Sequence, residues 1–375
     1  IMKILHLAPQ NSLCGIATYS ANLLKGLRAA EDNYQHTVIS LPPKEEIERL
    51  TAYDFKKFLS KFAKQSSDYQ AVHIQNEWGL FSQTGRIDNG LENFYFLIHT
   101  IFQFNKNVII TFHTEPVFIK QDGPLNYIEK KAIKFWKTKL TPLLNKCKNI
   151  VHTHISKTSF QDSGLHPTRL FKVTHGVLER YLNKNDKLPS QDIILSLFGH
   201  IASYKGYDLI FDALKLLDDN YKLIIIGGRH PHSRGNELEE LLLKIKELNL
   251  SNRVLITGSV TDEEANYYHS ATDICLAPHQ SEHLSASGAI TWSLTSGAPV
   301  IGSNVNAFRE INKAVPDSMM LCHPRSPYEW AWAIKRCGED YLLREKLISA
   351  AANYCEKFSW SNTAHSHVKI YNLKN

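Results

Sequence analysis

Short runs of β-branched and apolar residues alternate with longer segments of helical periodicity along the chain. That alternation is typical of βαβ units and parallel sheets. A first array has strand-like runs at residues 3–8, 36–40, 71–75, 108–112 and 150–154. A second array has them at residues 193–199, 222–228, 254–258, 274–277 and 299–302. The pattern predicts an α/β protein with two doubly wound parallel-sheet domains.

The stretch 182–192 separates the two arrays and has the polar, proline-containing composition of a linker. We therefore predict domains at 1–182 and 183–358, with residues 359–375 forming a short amphipathic helix that packs on one of them. Open α/β sheets bind ligands at the carboxyl ends of their strands, so a cleft between two such sets of ends is the expected place for function.

Composition and charge narrow the class of protein. The chain has 375 residues, of which 43% are hydrophobic and 21% charged, as in globular domains. The apolar stretch 94–104 is too short to span a bilayer, and residues 2–9 do not resemble a signal peptide. The six cysteines lack C-x-x-C or zinc-site spacing. We therefore expect reduced thiols, a cytoplasmic location and no bound metal.

Three strand-to-helix loops carry candidate chemistry. Gly15 precedes the first helical run, where free backbone N–H groups either bind an anion or form an ordinary turn. Lys205 follows the strand 193–199, where a lysine could neutralise a diphosphate leaving group or lie in solvent at a helix start. Glu282 follows the strand 274–277, where a carboxylate can accept hydrogen bonds from sugar hydroxyls.

These loops belong to a set of segments with a known order and rough spacing. The set consists of Gly15, 72–79, 111–113, 174–177, Gly199 with Lys205 and Gly206, 254–258, 271–273, Pro278 with Glu282, and 297–300. In this set the chain resembles the retaining GT-B glycosyltransferases of family 4, the glycogen-synthase-like glycosyl transferases group 1. The resemblance covers essentially the whole chain, and residues 358–360 resemble the start of the family's helix that crosses back to the first domain.

The resemblance implies two Rossmann-like domains facing across a cleft, with the acceptor on residues 1–182 and the donor on 183–358. It implies transfer of a hexosyl or N-acetylhexosaminyl group from a nucleotide-sugar, a UDP- or GDP-sugar, to a glycan, lipid-linked or protein acceptor. Configuration would be retained, and neither a metal nor a bound cofactor would take part.

The resemblance also assigns roles to individual residues. Lys205 would hold the donor diphosphate with the backbone of Gly15, Glu282 would contact the donor sugar's hydroxyls, and His113 would lie beside the reacting sugar. The wider donor-binding set is Gly15, Gly199, His200, Lys205, Gly258, Val260, Glu282, Ser285, Ser287 and Gly288.

Two positions depart from the family's pattern. His200 stands where the family usually has arginine, so charge compensation of the diphosphate would be weaker or would depend on histidine protonation. The family's second glutamate falls near Trp292, and no Asp or Glu occurs from residue 283 to 309. Ribose would then be recognised through Ser285, Ser287 or Trp292, or no ordinary nucleotide donor would bind.

The segment 127–150 contains seven lysines and one glutamate among apolar residues. It is either a basic amphipathic surface for an anionic membrane or a lysine-rich solvated helix face. Nucleic acid is a less favoured partner because no recognition motif accompanies the charge. Most of the 18 histidines, His73 and His175 included, are expected to serve hydrogen bonding or packing.

The leading hypothesis is a cytoplasmic glycosyltransferase, with peripheral attachment to the inner membrane face as an extension. A non-catalytic binding or scaffold subunit of a glycosylation complex is the alternative, because of His200 and the missing glutamate. A sugar-nucleotide epimerase is a third, lower reading, and it would need no acceptor.

Overall fold

The computed structural model describes residues 1–10, 14–30, 33–116, 125–178, 191–229, 235–282 and 288–373. The chain divides into two compact units. The first contains Ile1–Gly176 and Trp360–Asn375, and the second contains Val177–Ser359. The boundary predicted between residues 182 and 183 lies outside the described residues.

The first unit is built on a six-stranded parallel sheet with the order β2-β1-β3-β4-β5-β6. Its strands are β1 (Met2–Pro9), β2 (Tyr34–Leu41), β3 (Ala71–Asn76), β4 (Val108–Phe112), β5 (Lys148–Val151) and β6 (Leu170–Lys172). Its helices are α1 (Gly15–Ala30), α2 (Lys44–Arg49), α3 (Ala52–Gln65), α4 (Ile87–Ile101), α5 (Tyr127–Phe135), α6 (Thr141–Leu144), α7 (His154–Asp162) and α15 (Trp360–Tyr371). Every residue of β3 and β4 is buried, as expected for central parallel strands.

The second unit repeats the plan with a parallel sheet of order β12-β11-β10-β7-β8-β9. Its strands are β7 (Ile193–Phe198), β8 (Tyr221–Ile226), β9 (Val254–Ile256), β10 (Ile274–Ala277), β11 (Val300–Ser303) and β12 (Met320–Cys322). Its helices are α8 (Tyr207–Leu214), α9 (Glu237–Glu247), α10 (Asp262–Ala271), α11 (Gly288–Leu294), α12 (Asn306–Ala314), α13 (Pro327–Glu339) and α14 (Tyr341–Lys357).

The sequence pattern missed the sixth strand of each sheet, because β6 and β12 have only three residues each. It also extended the fifth strand too far. The Thr153 hydroxyl accepts a hydrogen bond from the Ser156 backbone N–H at 3.0 Å and so begins α7 at His154.

The basic segment 127–150 contains helices α5 and α6 of the first unit and the start of β5. Trp136, Leu140 and Leu144 are fully buried in the core of this unit. The Trp136 indole N–H also donates to the Ser163 carbonyl at 2.9 Å. Its apolar face is therefore occupied, whereas Lys130, Lys134 and other lysines are exposed to solvent.

The helix α15 lies against α1, and two glycines permit the approach. A Cβ on Gly26 would lie 2.7 Å from the Trp360 carbonyl oxygen, and a Cβ on Gly176 would overlap the Trp360 ring. A backbone atom cannot move away as a flexible side chain can. Small residues at these positions are therefore a condition for packing α15 on this unit.

We expect Gly26→Ala to lower the free energy of unfolding by about 1–3 kcal/mol, because the added methyl overlaps the Trp360 carbonyl. Gly15→Ala is the matched control, since it makes the same change in the same helix with no heavy atom within 4 Å. Urea unfolding of both variants measures the effect. Equal stability of the two variants would contradict this account of the helix contact.

Candidate functional site

Lys205 is buried at the carboxyl end of β7. It is 3% exposed, and its Nζ donates to the Phe198 carbonyl oxygen at 2.7 Å. Burial lowers the pKa of this ammonium group to about 8. Lys205 is therefore a cation held in a fixed position, which excludes the alternative of a solvated surface lysine.

Backbone conformation on both sides of Lys205 requires glycine. Gly199 has φ +108° and Gly206 has φ +69°, in the region that disfavours side chains. A Cβ on Gly199 would overlap the Lys205 Nζ, and one on Gly206 would overlap the Pro278 carbonyl oxygen. The two glycines thus let the loop fold back so that the lysine reaches its own strand.

Other predicted donor-site residues lie along the same edge of the second sheet. Gly258 follows β9, has φ +75° and forms a bridge with Gly227, which follows β8. A Cβ on Gly227 would in turn lie 2.4 Å from the Gly199 carbonyl oxygen. The ends of three neighbouring strands thus meet through glycine backbone, as they would to admit a ligand.

The remaining predicted donor-binding residues have varied surroundings. Val260 is half-buried, His200 is exposed, and Gly288 is the exposed first residue of α11. Ser285 and Ser287 lie outside the described residues.

The carboxylate of Glu282 binds two residues of helix α12. Its Oε2 accepts from the Asn306 backbone N–H at 2.9 Å and pairs with the Arg309 guanidinium at 3.3 Å. The Glu282 side chain is 49% exposed, so the pair is a surface contact. In this state Glu282 stabilises the start of a helix, and both contacts fall on a single carboxylate oxygen.

Trp292, at the position of the family's second glutamate, belongs to an aromatic cluster. Its ring centroid lies 5.1 Å from Phe198 and 6.1 Å from His269. The half-buried indole therefore packs under the strand that leads to Lys205.

In the first unit, His113 follows β4 and donates from Nε2 to the Gln75 Oε1 at 2.8 Å. The Tyr19 ring from α1 meets it edge-on, with the centroids 4.7 Å apart. Gly15, the other predicted residue of this unit, is the exposed first residue of α1, one turn before Tyr19.

His113 belongs to a group of seven imidazoles that we call the histidine cluster: His6, His36, His73, His113, His152, His175 and His367. Neighbouring ring centroids in it lie 5.1–5.7 Å apart. Tyr19 and Trp360 close the cluster on the side of α1 and α15.

Burial lowers the pKa of every ring in the histidine cluster. The pKa falls to about 4 for His36, His175 and His367 and to about 3 for His152. Repulsion among neighbouring rings adds to the effect at His6, His73 and His113. The cluster is therefore neutral at pH 7.

The sequence predicts hydrogen-bonding or packing roles for His73 and His175 individually and does not reveal the cluster. Gln75 is not among the predicted site residues, although it lies two positions after His73 and hence on the same face of β3. Polar residues recurring inside otherwise apolar strands were the available signal. Their convergence depends on strand register and on α15, which single runs of sequence do not contain.

Within the described ranges, no group of three or more His, Cys, Asp or Glu residues is arranged to hold a metal ion. No helix there is long and apolar enough to cross a membrane.

The region that contains Lys205 is similar in sequence to glycosyltransferases. Residues 180–354 match the family model described as Glycosyl transferases group 1. The chain is 26% identical over 179 residues to an uncharacterized glycosyltransferase of Methanocaldococcus jannaschii, covering 47% of this chain and 43% of the relative. It is also 26% identical over 189 residues to the D-inositol 3-phosphate glycosyltransferase of Corynebacterium jeikeium, covering 49% and 44%. The matches span less than half the length of these relatives.

Solved structures match nearly the whole chain. HepE of Anabaena in complex with UDP and glucose superposes with a TM-score of 0.71 at 16% identity, covering 98% of this chain and 99% of HepE. The sucrose-phosphate synthase of Thermosynechococcus elongatus gives 0.72 at 17% identity, covering 99% and 98%. The predicted GT-B fold class, with two doubly wound parallel-sheet units, is confirmed.

The histidine cluster predicts acid sensitivity. An unfolded histidine binds its proton near pH 6.5, whereas buried His367 has a pKa of about 4. Between these values the unfolded chain carries more protons, so the free energy of unfolding falls as the pH drops from about 6.5 to about 4. Full stability is reached above pH 6.5.

We expect His367→Gln to reduce the slope of unfolding free energy against pH, by up to about 1.4 kcal/mol per pH unit. His365→Gln is the control, because His365 makes the same Nδ1 contact with the carbonyl four residues earlier but is exposed. Urea unfolding between pH 5 and pH 7.5 gives the slopes. Identical slopes for the two variants would contradict the assignment of acid sensitivity to the cluster.

Proposed function

We propose that this protein is a glycosyltransferase that moves a sugar from a nucleotide-sugar to an acceptor. The observation that carries the proposal is the buried cation Lys205 at the carboxyl end of β7, inside the region matched by Glycosyl transferases group 1. A preorganised cation stabilises charge that develops on a leaving group. The departing nucleoside diphosphate is such a group.

UDP-sugars are the first donors to consider, with GDP-sugars second. The proposal rests on HepE, whose structures are described as complexes with UDP, with UDP and glucose, and with UDP-glucose. Gly199 and Gly258, both half-buried, would let such a donor approach the backbone at the sheet edge. Exposed His200 would supply a second positive group only when protonated.

Two further residues complete the proposed chemistry. Glu282 would accept hydrogen bonds from the donor sugar through its carboxylate while remaining paired with Arg309. His113 would lie beside the reacting sugar as a neutral hydrogen-bonding group. We propose a hexosyl or N-acetylhexosaminyl transfer with retention of configuration, without a metal, to a glycan, lipid-linked or protein acceptor.

A non-catalytic binding subunit is the second candidate function. Trp292 favours it, because an indole packed against Phe198 replaces the glutamate expected to bind ribose. Such a protein would bind a glycan or nucleotide through the same edge without transferring a sugar. Donor binding without turnover, across a panel of acceptors, would select this candidate.

The donor site is tested by UDP binding to Lys205→Met. UDP at 100 times its dissociation constant should add about 2.7 kcal/mol to the unfolding free energy of the wild type. The variant should lose most of this gain. Lys148→Met is the matched control, because Lys148 is also buried with a pKa of about 8 but lies in the first unit and binds the carbonyl of Leu373.

The same titration has a pH signature. Because a bound diphosphate would raise the pKa of Lys205 above 8, UDP affinity should fall by up to about tenfold per pH unit as the pH rises above that raised value. Thermal shift and calorimetry with UDP and GDP provide the measurements. Equal UDP responses in Lys205→Met and Lys148→Met would overturn the proposed donor site.

We further propose a cytoplasmic location with peripheral attachment to anionic membrane. Exposed Lys130, Lys134 and Lys137 would supply the attraction, and no apolar insertion is invoked because the apolar face of this segment is buried.

Changing Lys130, Lys134 and Lys137 together to Gln should weaken sedimentation with vesicles containing about one-third anionic lipid by about tenfold or more. The control changes Lys57, Lys61 and Lys64, three exposed lysines of α3 at the same spacing. It removes the same charge from another surface. Equal losses in the two triple variants would show that only net charge matters, and would contradict a specific membrane face.

A further inference from the structure

The His113 side chain is tied to a buried amide. Gln75 is 2% exposed, and its Oε1 lies 2.8 Å from the His113 Nε2. The two residues are on neighbouring strands, since Gln75 pairs in register with Thr111, two residues before His113. A carbonyl oxygen only accepts, so the Nε2 of a neutral ring carries the proton and its Nδ1 is an acceptor.

The amide is in turn held from its other side. The Gln75 Nε2 lies 3.4 Å from the Nε2 of His73, and the Thr111 hydroxyl lies 2.8 Å from that same nitrogen. The amide nitrogen only donates, so the Nε2 of His73 is an acceptor and its Nδ1 carries the proton. That Nδ1 lies 2.8 Å from the phenolic oxygen of Tyr371 on α15. One consistent set of donors and acceptors therefore runs from α15 to His113.

We propose that Gln75, oriented by His73 and Tyr371, is a positioning residue that fixes His113 in its Nε2–H tautomer. The tautomer itself follows from contacts within the first unit. Its consequence for sugar transfer rests on the proposed function, in which His113 lies beside the reacting sugar; in the Nε2–H form its Nδ1 would accept a hydrogen bond there.

The surroundings of His113 make the tautomer matter. Tyr19 of α1, His152 after β5 and Gln75 of β3 face the ring, and His175 and His367 also affect its pKa. The Gln75 carbonyl oxygen favours the Nε2–H form because it only accepts a hydrogen bond, much as a fixed partner sets the working tautomer of a histidine in other enzymes.

The tautomer is measurable in the ligand-free full chain. Two-bond nitrogen–proton correlation spectra of imidazole-labelled protein distinguish the Nε2–H and Nδ1–H forms, and His113→Asn identifies the His113 signals by their disappearance. We expect the Nε2–H form in the wild type. A wild-type His113 in the Nδ1–H form would correspond to a reversed Gln75 amide and would overturn the proposal outright.

Two substitutions separate positioning from packing. Gln75→Met keeps the shape but removes the acceptor, so the Nε2–H fraction of His113 should fall. Gln75→Glu keeps an acceptor and adds negative charge, so His113 should remain Nε2–H with a raised pKa. Gln83→Met is the control, because Gln83 is half-buried in the same unit and bonds the Leu50 carbonyl. An unchanged His113 spectrum in Gln75→Met would overturn the assignment.

With a donor and acceptor in hand, Gln75→Met should lower kcat by about 10–100-fold with the donor KM within about twofold of wild type. Gln75→Glu should recover part of kcat, with a changed pH profile. Gln83→Met should match the wild type. If the spectra behave as expected but the wild type transfers no sugar, the proposed function fails and the positioning role of Gln75 stands. If wild type and Gln75→Met share one kcat, the positioning role in transfer fails.

Discussion

The first unit depends on imidazole rings that stay neutral while buried. His73 bonds Tyr371, and His367 meets Tyr19 at 3.4 Å, so helix α15 is attached to the sheet and to α1 through uncharged ring nitrogens. A protonated ring there would be a charge without solvent, which is costly unless it is paired. Apolar side chains could pack these surfaces without the free-energy cost of burying polar groups. The histidines instead join a strand, two helices and the end of the chain through directional bonds.

This dependence makes the first unit discontinuous in sequence. Trp360–Asn375 belongs to it, although the whole second unit lies between them and residue 176. Its packing is complete only when the chain has returned, and a long loop must close before the contacts with Tyr371 form. The second unit has no such requirement, because Val177–Ser359 is continuous. The Lys148 ammonium group, which binds the carbonyl of Leu373, is another contact made only by the returning segment.

The same distinction explains which features the sequence revealed. Lys205 was predictable because a strand, two left-handed glycines and a helix within fifteen residues create its environment. Gln75 and the histidine cluster were not, because their partners come from neighbouring strands and from α15, hundreds of residues away. Glu282 was picked out by its place after β10, yet its contact with Asn306 and Arg309 depends on how α12 follows β11. A side chain whose surroundings come from adjacent residues can be predicted from the sequence, whereas contacts between distant segments cannot.

The two units bring different electrostatics to the proposed reaction. The second presents a buried cation, Lys205, whose pKa of about 8 keeps it mostly charged at pH 7. Within the described residues its Nζ bonds a carbonyl oxygen, which does not neutralise its charge. The first presents histidine rings that burial keeps neutral at pH 7. His113 thus supplies hydrogen bonding without charge. The charge of a bound diphosphate would then be compensated by Lys205 and backbone N–H groups. Loss of Lys205 should therefore weaken donor binding more than loss of His200 does.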